Sequence, residues 1–281
     1  MIGLFTPHGA VNYGTRLQAF AVQTIFEKYD DVEIIDYYPS FLEKGRRKLT
    51  RILLGLEKYK DVKVENKGIH NDPENIKMRV KAINRFNNHY KFSLPIKTRK
   101  ELRKRASEYS AVICGSDQVW NPRLIANHVN LLEFVPDNIN KISAAASFGV
   151  SELPENLKKY YRKYLSRFSV LSVREESACG IVNDLGMNNV LWSLDPTLIV
   201  DKTKWDNLAE EGREVVPNVP YVFCYFLGTH KLGRDIARNV SQRFDKCKIV
   251  NLPHFKQYVQ EDKDFADINL YDVRVPEFVT L

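Results

Sequence analysis

The sequence predicts an α/β fold, because short apolar runs alternate along the chain with stretches of helical periodicity. The first run, residues 1–5, is followed by a loop containing Pro, Gly and Asn, a helical stretch, and a second apolar run at residues 32–36. This order is typical of a β-loop-α-β unit, whose parallel strands are joined by a right-handed crossover. Hydrophobic residues make up 44% of the 281 residues, so the chain can form a core.

The same signals predict the remaining elements. The opening helix is expected to begin with Thr15 as its N-cap. Its buried stripe is predicted to consist of Leu17, Phe20, Ala21, Thr24 and Ile25. Further strands are predicted at residues 111–114, 142–146, 170–173, 221–227, 247–251 and 268–270. Further helices are predicted at residues 154–165, 175–185 and 234–244, with Pro276 in the first turn of another.

These elements are expected to form two domains. Residues 1–190 make up the first, interrupted by a polar, basic helical insertion at about residues 41–105. Residues 191–281 make up the second, whose three predicted strands are fewer than the ~5–6 of an average sheet. Because the apolar helix start at Pro276 is followed by only a few residues, we expect the second domain to be incomplete and the chain to be truncated.

The net charge of +7 is concentrated in one segment. Residues 41–105 contain 20 Lys and Arg against 7 Asp and Glu, and the rest of the chain is acidic. Such a segment can contact an anionic membrane surface, or it can be a solvated helical insertion. It contains no basic motif interleaved with aromatic residues, so nucleic acid is not an expected partner.

The composition also excludes several classes of protein. The longest stretch without a charged residue, 215–230, contains two prolines and is too short to span a bilayer. The four cysteines form no CxxC pair and the six histidines show no metal-ligand spacing, so we expect no disulfide scaffold and no metal site. We therefore expect a cytoplasmic protein with reduced thiols.

Polar segments follow several of the predicted strands, where α/β sheets bind ligands. The first contains Asn12, Tyr13 and Gly14 at a loop-helix junction, whose free N–H groups attract anions and hydroxyl-rich ligands. An ordinary capped turn is the alternative. His8 is the histidine favoured for catalysis, because it lies in the same loop.

The second segment follows the strand at residues 111–114. Its candidate ligand contacts are Gly115, Ser116, Asp117, Gln118 and Trp120. Small and polar side chains allow close approach and dense hydrogen bonding, and the tryptophan is expected to offer a face on which a sugar can stack.

Ser147 and Arg174 follow the next two predicted strands. Because Arg174 precedes a helix, we expect it to hold an anion such as a carboxylate or phosphate. The alternative is an ion pair with Glu175, Glu176 or another acidic residue. Asp195 is interpreted as structural, with its side chain bonded to its own turn.

Five segments in fixed order carry a family resemblance. They are NYGTRLQAFAVQ, VICGSDQVWNP, KISAAASFG, LSVREESA and SLDPTLIVDKTKW, and they span residues 12–205. Together they resemble the polysaccharide pyruvyl transferase family. The resemblance implies a GT-B-like fold, in which two Rossmann-like domains face a cleft. It also implies transfer of a pyruvyl group from phosphoenolpyruvate to a sugar, giving a ketal without any cofactor.

The resemblance further implies roles for the candidate residues. Arg174 would bind the anionic donor, Asp117 would bind the sugar or transfer a proton, and His8 is a third catalytic candidate. The cleft would be lined by Asn12, Tyr13, Gly14, Gly115, Ser116, Gln118, Trp120 and Ser147. The acceptor would be a surface polysaccharide or its lipid-linked precursor, met at the inner face of the cytoplasmic membrane.

Two other functions stay open. One is a GT-B glycosyltransferase that uses a nucleotide sugar, although nothing in the sequence marks a pocket for a nucleotide base. The other is a non-catalytic carbohydrate-binding remnant, because the Ser-Phe-His-Gly-like motif of the family's second domain is absent from this chain. That absence leads us to expect poor donor binding by these residues alone. The open edge of an incomplete sheet predicts a homodimer.

Overall fold

The computed structural model describes residues 1–41, 45, 72–123, 128–255 and 259–281. These residues form a mixed α/β structure with parallel sheets, as the alternating pattern predicts. Part of the predicted basic insertion, namely residues 42–44 and 46–71, lies outside the described residues.

The chain divides into two compact units. The first comprises the described residues within 1–10, 14–64 and 88–200, and the second those within 11–13, 65–87 and 201–281. The division into domains at residue 190 stays a prediction.

The first unit contains six described strands, all in parallel pairs. They are β1 (Ile2–Phe5), β2 (Val32–Ile34), β3 (Ala111–Gly115), β4 (Asn140–Ala144), β5 (Leu171–Val173) and β6 (Val190–Trp192). Four of them form a sheet in the order β2-β1-β3-β4, and β5 pairs with β6. Bridges from Ile142 to Val170 and from Ala146 to Val173 connect β4 to β5. The carboxyl ends of these strands therefore point the same way.

Eight α-helices occur among the described residues. They are α1 (Tyr13–Phe26), α2 (Pro73–Asn84), α3 (Arg99–Ala106), α4 (Glu155–Leu165), α5 (Glu176–Asp184), α6 (Lys202–Glu210), α7 (Lys231–Ser241) and α8 (Val275–Thr280). None of these described helices has the length and the apolar character needed to cross a bilayer. Pro276 lies in the first turn of α8, as predicted.

The prediction for α1 needs correction in two respects. The helix begins at Tyr13, so Thr15 lies inside its first turn and is not the N-cap. Of the predicted stripe, only Ala21 is fully buried, whereas the buried face also takes in the polar residues Arg16 and Gln18. These two side chains bond to the loop after β1, through Ala10 and Pro7, and a pattern of apolar residues cannot show such contacts.

The core of the first unit is built mainly from the strands. All five residues of β3 are buried, which explains why this strand reads as an uninterrupted apolar run. Cys114 within it is a free thiol whose burial raises its pKa. Helix α4 adds Leu157, Tyr161 and Leu165 to the same core.

The second unit has a parallel sheet of its own. Strands β7 (Tyr221–Cys224), β8 (Lys248–Asn251) and β9 (Ile268–Asn269) pair in sequence order. Its small core contains Cys224, Ala237, Ile249 and Phe265. The predicted strands are therefore present, each shorter than the apolar run that indicated it.

We predict that Gly115→Ala destabilises the protein by about 1–3 kcal/mol. Gly115 has φ +118°, and a Cβ atom there would lie 2.5 Å from the carbonyl oxygen of Ala144. Gly180 is the matched control, because it lies in α5 with open space around a Cβ atom. Gly180→Ala should stabilise the helix by about 0.5–1 kcal/mol. Urea denaturation measures both, and equal effects would contradict this account of Gly115.

Candidate functional site

The candidate site lies in the first unit, in the loops that follow the parallel strands. Strand β3 lies between β1 and β4, so the loops after these three strands are neighbours. Loops at the carboxyl edge of a parallel sheet are the usual place for a ligand in α/β proteins.

Asp117 accepts four hydrogen bonds at this edge. Its peptide carbonyl accepts the N–H groups of Val119 (2.8 Å) and Ser147 (2.9 Å), so it joins the loops after β3 and β4. Its carboxylate accepts the N–H of Gln118 on Oδ1 at 2.8 Å and the hydroxyl of Thr15 on Oδ2 at 3.0 Å. The side chain is partly exposed, and Gln118 is exposed beside it. Asp117 therefore presents a rigidly held carboxylate to solvent.

Ser116 and Ser147 hold this loop and do not present their hydroxyls to a ligand. Both are fully buried. Ser116 Oγ donates to the carbonyl of Ala145 at 2.8 Å, and Ser147 Oγ accepts the N–H of Gly149 at 3.0 Å. Their expected place in the lining of a cleft is corrected accordingly, because each hydroxyl is already used in fixing the backbone.

The expectation that Trp120 offers a stacking face is wrong. Its indole is fully buried, with the rings of Phe148 and Phe168 at 5.3 and 5.7 Å. Its Nε1–H donates to the carbonyl of Asn130 at 3.1 Å. Trp120 is therefore a core residue that secures the base of the loop.

His8 lies in the loop after β1 and is nearly buried. Its Nδ1 is 3.0 Å from the carbonyl oxygen of Thr6, and its Nε2 is 3.1 Å from Oδ1 of Asp36. Both ring nitrogens of His8 therefore face oxygen atoms of the protein, a carbonyl on one side and a carboxylate on the other. The rings of Tyr38 and Phe92 pack edge-on against it.

Arg174 follows β5 and is held by two carboxylates. Its Nε donates to Glu175 and its Nη1 donates to Asp195, each at 3.0 Å. Burial alone would lower the pKa of Arg174, but these ion pairs raise it above its ordinary value. An ion pair is the alternative role that the sequence leaves open for Arg174, and the structure contains it. The two carboxylates leave this cluster with a net negative charge, which opposes the binding of an anion.

Asp195 has the structural role that the sequence suggests, and a second one. Its Oδ1 accepts the N–H of Thr197 at 3.0 Å and the hydroxyl of the same residue at 2.7 Å. Its Oδ2 accepts a hydrogen bond from Arg174 Nη1. The two residues come together because β6 pairs with β5, which places the turn after β6 next to the residue that follows β5.

The residues Asn12, Tyr13 and Gly14 have different environments. Asn12 and Gly14 are exposed, whereas Tyr13 is buried in the second unit. The Tyr13 ring stacks on Phe278 at 4.3 Å, and its hydroxyl donates to the carbonyl of Val273 at 2.7 Å. The expectation that Tyr13 lines a cleft is corrected, because its ring and hydroxyl are both occupied by the protein.

The residues so far described place a carboxylate, an imidazole and a guanidinium on loops at one edge of the sheet in the first unit. Across the described parts of the chain, there is no group of three or more His, Cys, Asp or Glu that could hold a metal ion.

A family model for polysaccharide pyruvyl transferase matches residues 12–281. The chain therefore belongs to the polysaccharide pyruvyl transferase family, a family of transferases. The match confirms the resemblance of the five motifs, and it extends beyond them through the second unit. Searches of curated proteins and of solved structures gave no match.

We predict that Asp195→Ala lowers the free energy of unfolding by about 1–2 kcal/mol, because it removes both a turn cap and a partner of Arg174. Asp206→Ala is the control, since its pair with Lys202 is exposed and should contribute only ~0.5 kcal/mol. Urea denaturation compares the two variants. Equal losses would show that the contacts of Asp195 contribute no more than an exposed ion pair.

Proposed function

We propose that this protein transfers a pyruvyl group from phosphoenolpyruvate to two hydroxyl groups of a sugar. The family match over residues 12–281 carries the proposal. The acceptor would be a surface polysaccharide or its lipid-linked precursor. A GT-B-like arrangement, a homodimer and contact of the basic segment 41–105 with an anionic membrane belong to the same proposal.

The reaction requires proton transfer in both directions. A proton adds to the methylene carbon of phosphoenolpyruvate, which leaves a cationic centre on the neighbouring carbon. One sugar hydroxyl attacks that centre and loses its proton, inorganic phosphate departs, and a second hydroxyl attacks in the same way. The two protons lost by the hydroxyls balance the one gained by the new methyl group and the one carried away by phosphate.

Asp117 is suited to the hydroxyl side of this reaction. Its carboxylate is partly exposed and held by two donors, so it can accept a hydrogen bond from a sugar hydroxyl and then take the proton. The hydroxyl-rich acceptor would also meet Gln118 and Gly14, which are exposed in the same unit.

His8 and Arg174 are assigned to the donor. His8 lies in the loop after β1, and both its ring nitrogens already face oxygen atoms of the protein, so a bound donor would compete with these contacts. Arg174 has five N–H groups, of which Glu175 and Asp195 use two in the contacts described above. Its remaining N–H groups would bind the carboxylate of phosphoenolpyruvate, in competition with Glu175 and Asp195.

We predict that Asp117→Asn lowers kcat/KM by about 10²–10⁴-fold, because the amide cannot accept the proton of a hydroxyl. The assay follows release of inorganic phosphate and the mass of the ketal, with p-nitrophenyl β-galactoside as the acceptor probe. Asp184→Asn is the control, since Asp184 is exposed at the end of α5. Full activity of Asp117→Asn would exclude this carboxylate from the chemistry.

Arg174→Gln separates the two roles of the guanidinium. If Arg174 holds the donor, the KM for phosphoenolpyruvate should rise by roughly 10–100-fold, the weight of a hydrogen bond to a charged group. An unchanged KM together with a lower free energy of unfolding would restrict Arg174 to its ion pairs. Steady-state kinetics and urea denaturation on the same preparation give both results.

A further inference from the structure

We infer that Thr15 is a positioning residue for the Asp117 carboxylate. The inference rests on the proposed function, and it concerns a residue for which the sequence suggests only a helix cap. Thr15 Oγ1 donates to Asp117 Oδ2 at 3.0 Å, across 102 residues of sequence. The N–H of Gln118 binds the other oxygen at 2.8 Å, so the carboxylate is fixed at two points.

Thr15 is itself held firmly. It lies in the first turn of α1 and is only 9% exposed. Its carbonyl accepts a hydrogen bond from Gln18 Nε2 at 3.0 Å, and the same amide donates to Thr6 Oγ1 at 2.9 Å. Gln18 is buried, so it ties the first turn of α1 to the loop after β1. The Thr15 hydroxyl is therefore presented from a rigid base.

The main-chain conformation of Asp117 does not by itself fix the direction of its side chain. Asp117 has φ +68°, in the left-handed region, and it lies in the loop that follows β3. Its backbone is fixed through the carbonyl contacts with Val119 and Ser147, but these contacts leave the side chain free to turn. The hydroxyl of Thr15 and the N–H of Gln118 set its direction.

The test is a double-mutant cycle with Thr15→Val and Asp117→Asn in the full chain. Thr15→Val keeps the shape of the side chain and removes the donor. It should lower kcat by about 10–100-fold with p-nitrophenyl β-galactoside and phosphoenolpyruvate, while leaving both KM values within about twofold. Thr15→Ser, which restores the hydroxyl, should recover most of the activity. In the Asp117→Asn background Thr15→Val should have no further effect.

Thr24→Val is the matched control, because it makes the same change later in α1 and should leave kcat unchanged. The inference is overturned if Thr15→Val keeps full kcat, or if its effect persists undiminished in Asp117→Asn. It is also overturned if Thr15→Ser is as slow as Thr15→Val, since a merely structural defect would then explain the loss. Absence of ketal formation by the unmodified chain would instead refute the proposed function and the inference built on it.

Discussion

The hydrogen bonds of Asp117 are the constraint on which the candidate site depends. The carbonyl of this residue joins the loop after β3 to the loop after β4, while its carboxylate joins the loop to the first turn of α1. Three segments distant in sequence therefore meet at one residue. The same loop is also held by the buried hydroxyls of Ser116 and Ser147 and by the packing of Trp120 in the core. The polar side chains of this motif therefore largely support the geometry of a single carboxylate.

This arrangement explains why a motif rich in polar residues contributes few side chains to the surface. A base that removes a proton from a hydroxyl must be held within hydrogen-bond distance of it. Each polar side chain that bonds to the backbone of this loop reduces the freedom of such a base to move. Arg174 illustrates the opposite case. Its charge is largely balanced by Glu175 and Asp195, so any anionic ligand must compete with two carboxylates that are already in place.

The sequence predicts most of the described strands, because buried parallel strands read as apolar runs, as the five residues of β3 do, but it does not predict β6. It also predicts where the candidate loops lie, since each loop follows a recognisable strand. It fails where a contact depends on pairing between distant segments. Arg174 meets Asp195 only because β6 lies beside β5, and Thr15 meets Asp117 only because the first turn of α1 lies near the end of β3. The aromatic residue type of Trp120 predicts a stacking face, but residue type does not show that the side chain is buried.

The central claim is that the Asp117 carboxylate meets the sugar acceptor. A crystal structure of the full chain with phosphoenolpyruvate and p-nitrophenyl β-galactoside tests it most directly. The account predicts a sugar hydroxyl oxygen at about 2.5–3.0 Å from a carboxylate oxygen of Asp117. A sugar bound elsewhere on the protein, with the Asp117 carboxylate contacted only by Thr15 and Gln118, would contradict it.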